Sequence, residues 1–425
     1  MMKFYSTRDI NNQKSVSQAI LQGLAEDGGL FVPQYFPQID FSQLNPNLSY
    51  ASFASKILAP YFVSDQLANQ LEEICQAALN FPLPLQQLNA NTHVLELFHG
   101  STLSFKDVGA RFLAECMSRL ATSKTTIMVA TSGDTGSAVA SAFYQQNNLN
   151  VIVMFPKGQI SARQQQQITC WGDNVTAVAV RGSFDDCQKI VKQAFSDNWW
   201  TTHSHLSSAN SINIARLLPQ LTYYAYISWQ YYLQYKTKVN FIIPTGNVGN
   251  STAAVWAKQM GFPIDRIALA TNANRTLVDY FTDGEFKPRP SIATIANAMD
   301  VGNPSNFERL IHLYQSWENF TKNIPVFSSD DTQIRQAIKQ VHQQFNYIIC
   351  PHTATAYIAR QQLANDDNSW IIVATAAPCK FETILEPILG ETLTIMPQLA
   401  QLLERPSQFY EIEANLQSLQ QLIDH

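Results

Sequence analysis

From about residue 95 to residue 380, short apolar runs alternate with segments of helical spacing, and this alternation restricts the fold more than any other feature of the chain. The runs are TTIMVA (125–130), VIVMF (151–155), TAVAV (176–180), FIIPT (241–245), IALATN (267–272) and WIIVATA (370–376). A strand that is apolar on successive residues has both faces buried, as happens when helices cover a parallel sheet on both sides. An α/β architecture is therefore expected. Residues 1–92 read differently, as helical pieces and loops such as SVSQAILQGLAEDGGLFVP and VSDQLANQLEEICQAALNF, with no strand–helix alternation. The expected domains are 1–92, mostly helical; 93–235, α/β; 236–390, α/β; and 391–425, a helical tail. A chain of 425 residues, 46% hydrophobic, can bury cores for all of these.

Charge excludes some partners. The net charge is −5 and no Lys/Arg-rich run occurs, so a nucleic-acid partner is not expected. No stretch of apolar residues reaches the ~18 needed to span a bilayer, so no membrane association is expected. The N-terminus MMKFYSTRDINNQKS has no apolar segment after its basic residues, unlike a signal peptide. The six cysteines (Cys75, Cys116, Cys170, Cys187, Cys350, Cys379) form no CxxC pair, which suggests reduced thiols in a cytoplasmic protein. Cys350, His352 and Cys379 fall short of the roughly four ligands of a zinc site, so no metal is expected. The tyrosines and tryptophan between Tyr223 and Tyr235 read as a buried helix or an interface stripe.

In an open parallel sheet, ligands bind where strand ends lead into helices. Two such loops are rich in glycine: Thr131-Ser132-Gly133-Asp134-Thr135-Gly136 and Thr245-Gly246-Asn247-Val248-Gly249-Asn250. Glycine lets backbone N–H groups turn toward an anion, and the following helix N-terminus adds partial positive charge. Either loop alone could equally be a tight turn with no ligand. Neither matches a dinucleotide or nucleoside-triphosphate loop. A third segment, HGSTLSFKDVGARFLAECM (99–117), places Lys106 at the start of a helix whose apolar stripe is Val108, Phe112, Leu113, Cys116 and Leu120. A helix N-terminus disfavours the charged amine and so favours the neutral form that makes a Schiff base. Taken alone, Lys106 could also be a solvent-facing lysine beside Asp107.

These segments and others, in order, resemble the threonine synthase family: QGLAEDGGLFVP, LELFHGSTLSFKDVGARF, ATSGDTGSAVASAFY, FPKGQIS, SSANSINIARLLPQ, IIPTGNVGN, ATNAN, NAMDVGNPSNFERL and PHTATAY. The resemblance implies a fold type II architecture like the tryptophan synthase β group, with two parallel-sheet α/β domains and pyridoxal 5'-phosphate (PLP) as cofactor. It implies that Lys106 holds PLP as a Schiff base, that Gly246, Asn247, Val248, Gly249 and Asn250 cradle its phosphate, and that Thr375 meets its ring nitrogen. By the same resemblance, Asp134 falls where relatives outside this branch often have Asn beside the cofactor 3′-oxygen. Ser132, Gly133 and Thr135 belong to the loop that grips the substrate carboxylate. The ANSIN block, with Asn213 and Arg216, lies close to the site. Lys157, Ser161 and Arg216 are candidates for the substrate phosphate.

The implied reaction converts O-phospho-L-homoserine and water to L-threonine and phosphate. Lys106 acts as base at Cα, phosphate leaves from Cγ, and water adds at Cβ. A small phosphorylated amino acid is the expected partner, and the protein is expected to be a monomer or homodimer. Some positions depart from the family pattern. Ser101 replaces a proline, Cys350 stands where an acidic residue is common before PH, and TAAPCKF has Ala377 for His and Cys379 for Ala. A phospho-lyase giving 2-oxobutyrate shares all these motifs. A degenerate amino-acid-binding paralogue would have little reason to keep Lys106. The long N-terminal region argues against a serine/threonine dehydratase.

Overall fold

The computed structural model describes residues 2–363 and 368–424. Its two main sheets are built from the expected apolar runs. One has the strand order 326–328, 264–271, 239–244, 370–374, 92–96 and 85–89. All its neighbours run parallel except the hairpin of 85–89 with 92–96. The other has the order 410–413, 175–181, 149–156, 125–130 and 205–208, parallel throughout.

Strand pairing departs from the expected boundaries in three places. Thr92–Glu96, the strand that precedes the Lys106 segment, pairs with Trp370–Ala374 and so belongs to the sheet of the 236–390 region. The tail is not wholly helical, because Tyr410–Glu413 adds an edge strand beside Val175–Arg181. The N-terminal region carries a small antiparallel sheet of Phe4–Ser6, Gln13–Lys14 and Phe31–Pro33. These strands are two to three residues long in their sheet, too short for a period-two pattern to stand out in sequence.

The helices Lys106–Leu120 and Ile214–Tyr235 cross with little space between them. A Cβ on Gly109 would lie 2.7 Å from the Arg216 carbonyl oxygen, so only glycine permits this approach. The whole expected stripe of the first helix is buried, as are Tyr223, Tyr224, Trp229 and Tyr231 of the second. One apolar core runs through the N-terminal region, both helices and both sheets. Among the described residues no helix is long and apolar enough to cross a membrane, and no cluster of His, Cys, Asp or Glu could hold a metal ion.

Candidate active site

The chain turns at Ser104 beside the end of the Trp370–Ala374 strand. Phe105 N–H donates to the Thr375 carbonyl at 2.9 Å, Ala377 N–H donates to the Leu103 carbonyl, and Ser104 pairs with Ala376 in a bridge. Lys106 then opens its helix, half-buried, with no hydrogen-bond acceptor for Nζ among the described residues. Asp107 is fully buried and does not share a solvent-facing surface with it. Its carboxylate accepts from Thr102 N–H at 2.9 Å and Thr102 Oγ1 at 2.6 Å, which holds the preceding loop in place. Burial pushes the Asp107 carboxyl up from its ordinary range.

Burial also pushes the Lys106 amine down to about 8. Asp134 pulls the other way, while Lys380 and Arg216 add like-charge repulsion. Asp134 is the first residue of the helix Asp134–Phe143. Gly133, before it, adopts φ +139°, and a Cβ there would come 2.5 Å from Gln164 Nε2. That same Nε2 donates to Asp134 Oδ1 at 3.0 Å. Lys380 Nζ lies 2.8 Å from Asp134 Oδ1, with both side chains buried. Burial opposes the charge on Asp134, but Lys380, Lys106 and His352 outweigh it and hold its carboxyl well below the usual range. Burial pushes the His352 imidazole down to about 4. His352 Nε2 accepts from Ala298 N–H at 3.1 Å, so the ring is neutral with its proton on Nδ1.

The second glycine-rich loop follows Val239–Pro244. A Cβ on Gly246 would sit 3.0 Å from the Met299 Cα and 3.3 Å from the Ala298 carbonyl oxygen, so a neighbouring segment closes over it. Val248, at the start of the helix Gly249–Gln259, is in the left-handed region at φ +66°. A β-branched residue is rare there, and such strain concentrates at ligand-holding turns. Asn247 accepts from Asn306 N–H at 3.1 Å through its carbonyl and from Ser305 N–H at 3.4 Å through its Oδ1. The Asn250 side chain turns away toward the helix Ile214–Tyr235, where Tyr223 and Tyr224 donate to its Oδ1 at 2.5 and 2.8 Å.

The other candidates are distributed unevenly. Ser132 and Thr135 are half-buried, and neither hydroxyl has a hydrogen bond among the described residues. Ser161 caps its helix and reaches the Lys380 carbonyl at 3.3 Å, which brings it next to the ion pair. Asn213 is fully buried and fully engaged, donating to the Ile20 carbonyl and accepting from Ala215 N–H. Arg216 is buried, with one nitrogen bonded to the Ala209 carbonyl and Nε unpartnered. Lys157 is exposed and paired with Glu411 at 2.7 Å, so its charge is taken up away from the buried cluster. Thr375 is buried at the strand end, and its hydroxyl has no partner among the described residues.

Lys380, Gln164 and His352 were not singled out by sequence reasoning for this site. Lys380 stands within TAAPCKF, five residues after Thr375, and that proximity was the available signal. Gln164 reads in sequence only as part of a glutamine run. The departures from the family pattern are accommodated by local contacts, buried for Cys350, Ala377 and Cys379 and half-buried for Ser101. Ala377 and Cys379 join a small cluster with Val94, Phe98, Leu103 and Leu399. Ser101 Oγ accepts from Ser141 Oγ at 3.0 Å, and Cys350 Sγ contacts Thr353 Oγ1 at 3.2 Å.

Comparisons with known proteins agree along the whole chain. Residues 3–79 match the model for the threonine synthase N terminus, residues 77–375 the pyridoxal-phosphate dependent enzyme family, and residues 353–423 the C-terminal threonine synthase model. A curated threonine synthase from Escherichia coli K12 is 38% identical, over 99% of each chain. The crystal structure of threonine synthase from Escherichia coli superposes with a TM-score of 0.92 at 36% identity, covering 99% of both chains. A PLP-bound threonine synthase from Brucella melitensis gives 0.94 at 32% identity, covering 100% of this chain and 99% of that one.

Proposed function

Since this chain belongs to the threonine synthase family, we propose that it converts O-phospho-L-homoserine and water to L-threonine and phosphate at the Lys106 site. It is a pyridoxal-phosphate dependent lyase. The observation that carries the assignment to this site is the half-buried, unpaired Lys106 amine, pushed down to about 8 at the start of its helix. A lysine in that state is nucleophilic near neutral pH.

The residues present fit PLP. Gly246 leaves the space a Cβ would fill, and the Gly249 helix presents its N-terminus to a phosphate. Ser104 Oγ and Asn297 Oδ1 are buried polar atoms without a protein partner on segments that border the site. Such atoms are rare in folded chains unless a ligand satisfies them. The Gly246–Asn250 turn would hold the phosphate, Lys106 the aldehyde carbon, Asp134 the 3′-oxygen side and Thr375 the ring nitrogen.

When bound, PLP supplies an electron sink for the charge left at Cα after proton removal. The chain's own residues do the rest. With its amine free during turnover, Lys106 takes the proton from Cα and can return protons further along the substrate. Ser132, Gly133 and Thr135 offer two unengaged hydroxyls and a turned backbone to the substrate carboxylate. Ser161 and Arg216 are the candidates for the departing phosphate, with Lys157 available only if it releases Glu411. The cytoplasm, and a monomer or homodimer, complete the reading.

The test is to supply O-phospho-L-homoserine to the purified, PLP-loaded protein and follow phosphate, threonine and 2-oxobutyrate together. Equal phosphate and threonine are expected. Phosphate accompanied by 2-oxobutyrate would replace this reading with a phospho-lyase, and no phosphate would remove the substrate assignment.

A further inference from the structure

Among the described residues, the Lys106 amine has no hydrogen-bond acceptor, although Asp134 is close enough to act on its charge. One oxygen of that carboxylate, Oδ1, is engaged elsewhere. Lys380 Nζ lies 2.8 Å from Asp134 Oδ1, and Gln164 Nε2 donates to the same oxygen at 3.0 Å. Lys380 Nζ also donates to the Thr102 carbonyl at 2.8 Å, four residues ahead of Lys106, and Gln167 Nε2 donates to that carbonyl at 3.1 Å. Lys380 is completely buried, so its ammonium depends on these partners rather than water. The turn that carries it is tied down by Ser161 at the Lys380 carbonyl and by Arg163 at the Cys379 carbonyl.

We propose that Lys380 is a positioning residue of this site: it holds Asp134 Oδ1 and so leaves the Lys106 amine without a hydrogen-bonded acidic partner. The proposal rests on the reading of Lys106 as the cofactor lysine. A buried lysine beside an unpaired carboxylate would keep its proton as an ion pair, and a protonated amine neither captures an aldehyde nor removes a proton from Cα. Lys380 weakens that pairing by holding Asp134 Oδ1 and compensating its charge, and its own positive charge further disfavours a second one at Lys106. The charged and titratable groups that act on Lys106 are Asp134 from the Asp134–Phe143 helix, Lys380 from its turn, Arg216 from the Ile214–Tyr235 helix and His352 from the Pro351–Gln362 helix. Of these, Asp134 alone is acidic, so the Lys380–Asp134 contact decides whether Lys106 finds a counter-ion.

The test titrates the Lys106 nitrogen directly. The full-length chain is labelled with trace acetic anhydride across a pH series, and the Lys106 peptide is quantified by mass spectrometry. The visible absorbance of the PLP-loaded chain is titrated in parallel. In Lys380→Met the proton affinity of Lys106 should rise about tenfold or more, because Asp134 becomes its nearest counter-ion. Lys380→Arg should restore a value close to that of the parent, which a merely structural role for the side chain would not predict. Asp134→Asn should shift Lys106 the opposite way, and this variant decides the matter if Lys380→Met does not fold. Unchanged Lys106 titration in Asp134→Asn, or in Lys380→Met, would overturn the proposal. The labelling needs no phosphohomoserine, so a failure to release phosphate would remove the functional reading and leave this result standing.

Discussion

Lys380 Nζ and Asp134 Oδ1 are 2.8 Å apart, with side chains 0% and 4% exposed, and this contact joins the end of one sheet to the helix that leaves the other. A buried pair of this kind is costly to break by halves, because the surviving charge has neither water nor a partner. Asp134→Ala is therefore expected to destabilise the fold by about 3–5 kcal/mol. Combining it with Lys380→Met should recover a large part of that loss. Denaturant unfolding of the two single variants and the double variant measures the coupling. Additive losses would mean that the pair is not held as described.

Lys106→Ala should separate chemistry from folding. Removing the proposed general base should lower phosphate release by about a thousandfold or more. The unfolding midpoint should stay the same or rise, since the amine is desolvated and unpaired. Activity that survives the substitution would remove Lys106 from the mechanism.

Gly246→Ala tests the proposed phosphate cradle. Its Cβ would come 3.0 Å from the Met299 Cα, and backbone there cannot move aside as a side chain could. Affinity for PLP should fall about tenfold or more, a loss of roughly 1.4 kcal/mol. Titration of the apo chain by cofactor absorbance gives the number. Undiminished affinity would place the phosphate elsewhere.

His352 predicts a specific acid sensitivity. Its folded value is about 4 against an ordinary 6.5, so between those pH values the unfolded chain takes up a proton that the folded chain refuses. Stability from this group is therefore complete above about 6.5 and is lost as pH falls toward 4, by roughly 3 kcal/mol in all. His352→Gln keeps an acceptor available for Ala298 N–H and cannot titrate. Its stability should be flatter over that range in denaturant unfolding at stepped pH. An unaltered slope would mean that another group is responsible.

Much of the fold was legible because its signals are local. The apolar runs, the stripe Val108–Phe112–Leu113–Cys116–Leu120 and the glycine turns at 133 and 246 each depend on residues close together in the chain. Lys106 could be placed at a helix start for the same reason. The short strands at 205–208, 326–328 and 410–413 left no such trace, since three or four residues carry too little periodicity.

The sequence by itself therefore determined the α/β alternation, the two glycine-rich turns and the lysine at the head of its helix, all set by backbone sterics and helical spacing. Only the tertiary structure decided which charges meet. Lys157 stands at a strand end as its motif suggests, but the tail strand brings Glu411 to it across 254 residues. Asn213 spends its amide on the Ile20 carbonyl, 193 residues away. Lys380 reaches the Thr102 carbonyl across 278 residues and Asp134 beside it. A buried charge takes the partner that folding places next to it, and no local pattern encodes that choice.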